Sequence, residues 1–208
     1  MNNKVKITFV NHASYIVSYK DIHLLVDPWI TGTIFNNGWS SISRGYFPNK
    51  LINKITHIWY SHEHPDHFSP IDLKKIKDES DKIPKIIFQK TKDKRLKKYC
   101  EKIGFEIIEL DSWEKFKLSH SFSLTIISHG RIDSISIVEV EDYKIVNTND
   151  CVLSDKNSKE IFKKYGDIDI LFTQFSYAWW MGKPKEKYKR VRAANEILEG
   201  LLLEIKNL

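Results

Sequence analysis

The sequence has only two cysteines, Cys100 and Cys151, and no Cys-x-x-Cys pair. This excludes an iron–sulfur or zinc-ribbon site built from paired cysteines, and it fits a reducing compartment. The sequence also lacks an apolar run of the roughly 20 residues that a membrane-spanning helix needs, and it has no signal-peptide pattern near Met1. We therefore expect a cytoplasmic protein without a transmembrane segment.

Two widespread catalytic motifs are missing as well. There is no glycine-rich nucleotide-binding loop and no Gly-x-Ser-x-Gly elbow. The 208 residues suffice for one domain with a hydrophobic core, and no repeat or linker indicates a second domain. The net charge of +6 comes from lysines spread along the chain, which is typical of solvated faces. We predict a small-molecule substrate and no nucleic-acid partner.

Three of the eight histidines lie in one short stretch, Ser61-His62-Glu63-His64-Pro65-Asp66-His67-Phe68. Imidazole nitrogens and carboxylate oxygens are the usual ligands of zinc and similar divalent ions. His62 and His64 are two residues apart, so in an extended segment they point to the same side and can hold one ion. Asp66 and His67 come after the chain has begun to turn and suit a second ion, roughly 3.5–4 Å from the first.

The apolar pattern predicts an α/β protein. An apolar run before the His/Asp stretch indicates a buried strand, and Pro70 after it indicates the start of a helix with Ser69 as N-cap. β-Hairpins come first along the chain, and strands then alternate with helices near 93–103, 158–165 and 188–203. Residues 30–50 form a long loop in this interpretation. The order favours an αββα sandwich, with two sheets inside and helices outside.

The spacing His-x-His-x-Asp-His resembles the signature of the metallo-β-lactamase superfamily. Further stretches, among them Asn11-His12-Ala13, Asp27-Pro28-Trp29 and Asn147-Thr148-Asn149-Asp150, narrow the resemblance. They look like the metallo-β-lactamase-type domain of CMP-N-acetylneuraminate hydroxylase and its bacterial relatives. That branch is similar to N-acylphosphatidylethanolamine phospholipase D and ascorbate-6-phosphate lactonase. The resemblance covers almost the whole chain, in order.

The resemblance implies a role for each candidate residue. His129 would complete the first site with His62 and His64, and Asp150 would bridge the two ions. His12 and Asp27 would lie beside the centre as partners of the ligand histidines. The implied cofactor is one or two divalent metal ions, zinc first, with iron or manganese as alternatives.

Two departures from the family pattern affect the expected activity. The sialic acid hydroxylase carries a Rieske iron–sulfur domain, and no such ligand set occurs here, so hydroxylation is not carried over. The superfamily also supplies a late histidine to the second metal, whereas no histidine follows His129. We therefore expect one domain, 1–208, shortened at its C-terminus and without the usual last strand and ligand. Asp66, His67 and Asp150 alone would leave the second ion under-coordinated, unless a homo-oligomer or partner chain completes it.

The aromatic segment 175–182 is the candidate substrate wall, together with Trp39. Its position after a predicted strand suits stacking on a sugar or base, although such a stripe can equally belong to the core. The candidate substrate-binding residues are Trp39, Ser176, Tyr177, Trp179 and Trp180.

We derive two functional hypotheses from these features. The first is a metal-dependent hydrolase, in which metal-activated hydroxide attacks a small phosphorylated or sugar-nucleotide-like substrate. Asp66 would orient this nucleophile and accept its proton. The second is a metal-binding but catalytically incomplete relative, acting as a partner or binding subunit in sugar or surface polysaccharide metabolism. Metal content per chain distinguishes them. A nuclease is a weaker third hypothesis, because the basic residues do not cluster around the site.

Overall fold

A computed structural model describes residues 4–42, 45, 47, 49–175 and 183–207. Thirteen strands and five helices are assigned within these ranges. The strands are β1 Lys6–Asn11, β2 Ser14–Tyr19, β3 Ile22–Val26, β4 Thr33–Ile34, β5 Trp39–Ser40, β6 His57–Trp59, β7 Lys85–Gln89, β8 Ile107–Leu110, β9 Lys115–Ser119, β10 Phe122–His129, β11 Asp133–Val140, β12 Tyr143–Asn149 and β13 Ile170–Thr173. The helices are α1 Asn49–Ile52, α2 Pro70–Glu79, α3 Arg95–Lys102, α4 Asp155–Tyr165 and α5 Lys187–Asn207.

Two sheets form the centre of the molecule. The first has the order β1-β2-β3-β6-β7-β8, antiparallel through β3 and parallel from β3 to β8. The second has the order β13-β12-β11-β10-β9, with only β12 and β13 parallel. The parallel half consists of short strands separated by helices, because parallel neighbours need a crossover connection. The predicted α/β sandwich is confirmed.

The main core lies between the sheets and is built from both. Val17, Leu24 and Trp59 of the first sheet pack with Leu124 and Ile145 of the second. Alternating apolar positions face this layer, as expected for strands with one face on a core. The sequence pattern of the strands therefore decides which faces meet.

Helices cover the outer faces of both sheets. On the first sheet, Leu73 and Ile76 of α2 and Leu96 and Cys100 of α3 join a second apolar cluster. On the second sheet, Ile161 of α4 packs with apolar residues of β10, β11 and β12. Helix α5 packs on α4. Its buried Glu204 accepts hydrogen bonds from the Leu153 N–H (3.3 Å) and the Thr173 hydroxyl (2.7 Å).

The elements agree broadly with the sequence patterns, and α5 continues to Asn207, four residues beyond its predicted end. Helix α4 begins earlier than the apolar pattern predicts, because the Ser154 side chain caps it by accepting from the Asn157 N–H at 3.2 Å. The predicted loop at 30–50 contains the small β4–β5 hairpin and the beginning of α1. These short elements lack the periodicity that reveals longer ones.

None of the helices in the described part of the chain combines the length and apolarity that spanning a membrane would require.

We expect Leu73→Ala to lower the free energy of unfolding by about 2–5 kcal/mol, because Leu73 is fully buried between α2 and the first sheet. Urea denaturation of the purified protein measures this change. Ile71→Ala on the same helix is the matched control, since the Ile71 side chain is exposed. Equal losses in the two variants would contradict the packing described for α2.

Candidate metal centre

The His/Asp segment follows the end of β6 and precedes α2. Helix α2 begins at Pro70, and the Ser69 side chain caps it by accepting from the Asp72 N–H at 3.2 Å. The predicted N-cap is confirmed. Within the segment, the His67 and Phe68 N–H groups both donate to the His64 carbonyl, at 3.0 and 2.8 Å. This tight turn brings the Asp66 and His67 side chains next to each other.

A first group of donor atoms consists of His62, His64 and Asp150, whose ligand atoms all lie within 4.8 Å of one another. His62 Nε2 is 2.8 Å from His64 Nδ1 and 3.8 Å from Asp150 Oδ2. The Ser61 hydroxyl donates to Asp27 at 2.7 Å, so it accepts from His62 Nδ1 at 2.9 Å. The Nε2 lone pair of His62 is therefore directed at the group.

A second group consists of His12, Asp66 and His67, under the same limit of 4.8 Å. Asp66 Oδ2 is 3.3 Å from His12 Nε2 and 3.5 Å from His67 Nε2. Asp66 and His67 are buried, whereas His12 is exposed. His12 reaches this group from the β1–β2 turn, more than 50 residues away in sequence.

Asp150 lies between the two groups. Its Oδ2 is 3.8 Å from His62 Nε2 in the first group and 3.6 Å from His67 Nε2 in the second. It follows the end of β12, where Asn149 has a left-handed backbone (φ 56°) that redirects the chain. One carboxylate is thus within reach of both groups, as a bridging ligand requires.

Asp27 lies under the centre and is fully buried. Four groups donate hydrogen bonds to its carboxylate: the N–H (2.8 Å) and hydroxyl (2.7 Å) of Ser61, Nδ1 of His67 (3.0 Å) and the side-chain amide of Asn149 (3.0 Å). A carboxylate hydrogen-bonded to one imidazole nitrogen fixes the ring and directs the other nitrogen at a metal.

The donor set fits a bound cation. His67 Nε2 is buried and has no hydrogen-bond partner among the described residues. Burial by itself would lower the pKa of His67, but the carboxylates of Asp150, Asp27 and Asp66 raise it well above its usual value. Burial would raise the pKa of Asp66, yet the neighbouring His12 and His67 side chains hold it far below its usual range. The carboxylates of Asp27, Asp66 and Asp150 thus surround the His67 ring, and a divalent ion bound at Nε2 would balance their negative charge.

A cavity of about 370 Å³ opens beside the second group. Among the described residues, its lining includes aromatic rings, amide side chains and four of the donor residues. They are Phe9, His12, Ala13, Tyr15, Asp66, His67, Asn147, Asn149, Asp150, Phe172, Thr173, Gln174 and Phe175. Tyr15 and Phe172 are stacked with ring centroids 4.1 Å apart. The cavity therefore gives a small molecule access to the donor atoms.

Of the remaining residues predicted from the sequence, those that the structure describes belong to neither donor group. His129 ends β10 and belongs to neither donor group, although its cross-strand partner is Asp133, whose Oδ1 is 3.8 Å from His62 Nδ1. The role of His129 as a ligand stays a prediction. Trp39 packs edge-on against Phe35 in the β4–β5 hairpin and is not among the described residues that line the cavity. Ser176, Tyr177, Trp179 and Trp180 lie outside the described residues.

The sequence analysis assigned no role to three residues that the structure places in the centre. Ser61 and Asn149 hold Asp27, and Asp133 approaches His62. Ser61 and Asn149 are direct neighbours of predicted ligands, which is the signal that could have identified them. Asp133 belongs to Asp133-Ser134, another of the stretches that resemble the family, and that resemblance is the signal that could have identified it.

The fold and the donor groups define a metallo-β-lactamase-type protein. Residues 6–185 match the family described as Beta-lactamase superfamily domain, and the chain belongs to this family. It is 27% identical over 157 residues to the cytidine monophosphate-N-acetylneuraminic acid hydroxylase of Xenopus laevis. The match covers 71% of this chain but only 26% of the relative, so the chain spans about a quarter of its length.

Solved structures share the fold at low sequence identity. CmlA, a diiron β-hydroxylase from Streptomyces venezuelae, superposes with a TM-score of 0.68 and 16% identity, over 97% of this chain and 44% of CmlA. A possible metal-dependent hydrolase from Veillonella parvula superposes with a TM-score of 0.63 and 14% identity, over 95% of this chain and 93% of that protein. These likenesses establish the metallo-β-lactamase fold.

Proposed function

We propose that this chain forms the catalytic domain of a metal-dependent hydrolase with two divalent ions. The observation that supports it is the convergence of two donor groups on Asp150 beside an open cavity, with the buried Nε2 of His67 directed at the gap. A site that only stabilises the fold would need neither an open cavity nor a donor pair on each side of one carboxylate.

Bound divalent ions would supply a water molecule of lowered pKa and polarise an oxygen of the substrate. His62 and His64 would hold one ion, Asp66 and His67 the other, and Asp150 both. Asp66 would also orient the attacking water and accept its proton, because its carboxylate lies at the cavity wall beside the second group.

The cavity lining supports a small substrate with a flat or sugar-like part. Aromatic rings of Phe9, Tyr15 and Phe172 suit stacking, and the Asn147 and Gln174 amides suit hydroxyl or amide groups. Lysine and arginine are missing from the described part of the lining, so the bound ions would neutralise a phosphoryl group. We propose a phosphorylated or sugar-nucleotide-like compound with an ester, lactone or amide bond to be cleaved.

Hydroxylation is the second candidate function, and the similarity to two hydroxylases favours it. The same donor atoms accept iron, and the relative named as a diiron enzyme makes iron a candidate alongside zinc and manganese. Elemental analysis of protein purified without added metal separates the two. Iron together with substrate-dependent oxygen consumption in the presence of an added electron donor would favour hydroxylation. Zinc or manganese, with turnover in a panel of phosphodiesters, lactones and sugar nucleotides, would favour hydrolysis.

We expect His64→Ala to lower the metal content from about two ions per chain to about one and to abolish turnover, because His64 Nδ1 is one of the donors of the first group. Elemental analysis and the substrate panel measure both effects. His120→Ala serves as control, since His120 is an exposed turn residue outside both groups. Full metal content and turnover in His64→Ala would refute the proposed centre.

A further inference from the structure

The turn between β1 and β2 holds His12 in a fixed position over the second donor group. His12 has a left-handed backbone (φ 47°), which is uncommon for a residue with a side chain and costs free energy. The preceding Asn11 anchors the turn: its amide donates to the Trp29 carbonyl and its side-chain oxygen accepts from the Ser41 hydroxyl, both at 3.0 Å. The two hydrogen bonds of Asn11 thus anchor the turn from which the His12 side chain extends.

The rings around His12 restrict it further. Its imidazole lies edge-on to Trp29, with centroids 5.5 Å apart, and edge-on to His67 at 5.9 Å. Its side chain is nevertheless 41% exposed, because its outer side faces the cavity. The ring is thus oriented without being enclosed.

The donor separations in this group match those around one ion. Ligand atoms about 2.1 Å from a tetrahedral metal lie about 3.4 Å from one another. Asp66 Oδ2 is 3.3 Å from His12 Nε2 and 3.5 Å from His67 Nε2, and His67 Nε2 is 3.6 Å from Asp150 Oδ2. These three separations are close to the distance expected between donors of one ion, and the donor atoms of His12, Asp66 and His67 all lie within 4.8 Å of one another.

The other histidines outside the His62–His67 segment are placed differently. His23 Nδ1 is hydrogen-bonded to the Ser18 hydroxyl, and His57 Nδ1 to the Thr56 hydroxyl. His120 is exposed in the β9–β10 turn, and His129 belongs to neither group. Among the described residues, His12 is the only histidine outside that segment with a ring nitrogen in a donor group.

We propose that His12 is itself a metal ligand and completes the second position, with Asp66, His67 and Asp150, from the N-terminal hairpin. This inference rests on the proposed two-ion centre and assigns the fourth protein donor of its second ion. It replaces the expectation that this ion is under-coordinated within the chain. The N-terminal turn then supplies a ligand to this ion.

The test is metal stoichiometry in His12→Gly. Glycine adopts the left-handed backbone at no steric cost, so this variant removes the imidazole and keeps the turn. Wild-type and variant proteins are loaded with zinc, dialysed and analysed for metal per chain. We expect about two ions in the wild type and about one in the variant. His120→Gly, an equivalent deletion in another hairpin turn, should keep about two.

Added imidazole separates a ligand role from a structural one. The cavity leaves room for free imidazole where the His12 ring was, so we expect it to restore the second ion in His12→Gly and to leave His120→Gly unchanged. A folded His12→Gly that retains two ions at wild-type affinity would overturn the inference and leave the two-ion proposal intact. A second ion lost but not restored by imidazole would also count against it. A wild type that binds one ion or none would refute the proposed centre itself.

Discussion

Replacing Asp150 with asparagine is expected to lower the metal content from about two ions per chain to at most about one, and to reduce turnover by about 10³-fold. The Asp150 carboxylate lies 3.8 Å from His62 Nε2 and 3.6 Å from His67 Nε2, so it is within reach of both donor groups. Asparagine keeps the shape but loses the charge that balances two cations. If the bound ions stabilise the transition state by several kcal/mol less in the variant, turnover falls by about 10³-fold.

Elemental analysis and kinetics on the substrate panel measure this effect. Asp142→Asn is the matched control, because Asp142 lies in the exposed turn between β11 and β12, directly before the strand that leads to Asp150. It should leave metal content and turnover unchanged. Two ions held at wild-type affinity by Asp150→Asn would exclude the bridging role while leaving separate sites intact.

Asp27→Asn should have the second-largest effect, and it should act on both folding and metal affinity. The buried carboxylate accepts four hydrogen bonds, from Ser61, His67 and Asn149. An amide offers one acceptor oxygen, so at least one of these donors would lose its partner or meet an N–H group. We expect the free energy of unfolding to fall by about 3–5 kcal/mol in the metal-free protein.

The same change should weaken metal binding by about 10–100-fold, because His67 would lose the partner that directs its Nε2 at the ion. Urea denaturation without metal and competition with a chelator measure the two effects separately. Asp21→Asn, in the exposed β2–β3 turn, is the control. A variant that is destabilised but binds metal with unchanged affinity would assign Asp27 to folding alone.

Much of the framework was predictable from local sequence. The hairpins, the strand before His62 and the helix after Ser69 follow from apolar periodicity and capping residues, which act over a few positions. The grouping of His62 with His64 and of Asp66 with His67 also follows from spacing within one short segment. These predictions were within reach because the interacting atoms are neighbours along the chain.

The remaining contacts of the centre were not predictable in this way. His12 was expected as a partner of a ligand histidine, but the structure places its Nε2 3.3 Å from Asp66 across 54 residues. Asn149 donates to Asp27 across 122 residues, and Asp133 approaches His62 from another hairpin. Periodicity shows that a turn exists, but not which other turn it will face.

The sequence by itself determined the α/β class, the metallo-β-lactamase family and the chemical type of the centre, because these depend on residue types and short spacings. The tertiary structure alone decided how closely side chains from distant segments approach the His62–His64 and Asp66–His67 pairs. Four segments that follow or join different strands meet at one edge of the two sheets: the turn after β1, the residue after β3, the segment after β6 and the end of β12. Their approach depends on strand order and sheet packing, which no local pattern encodes.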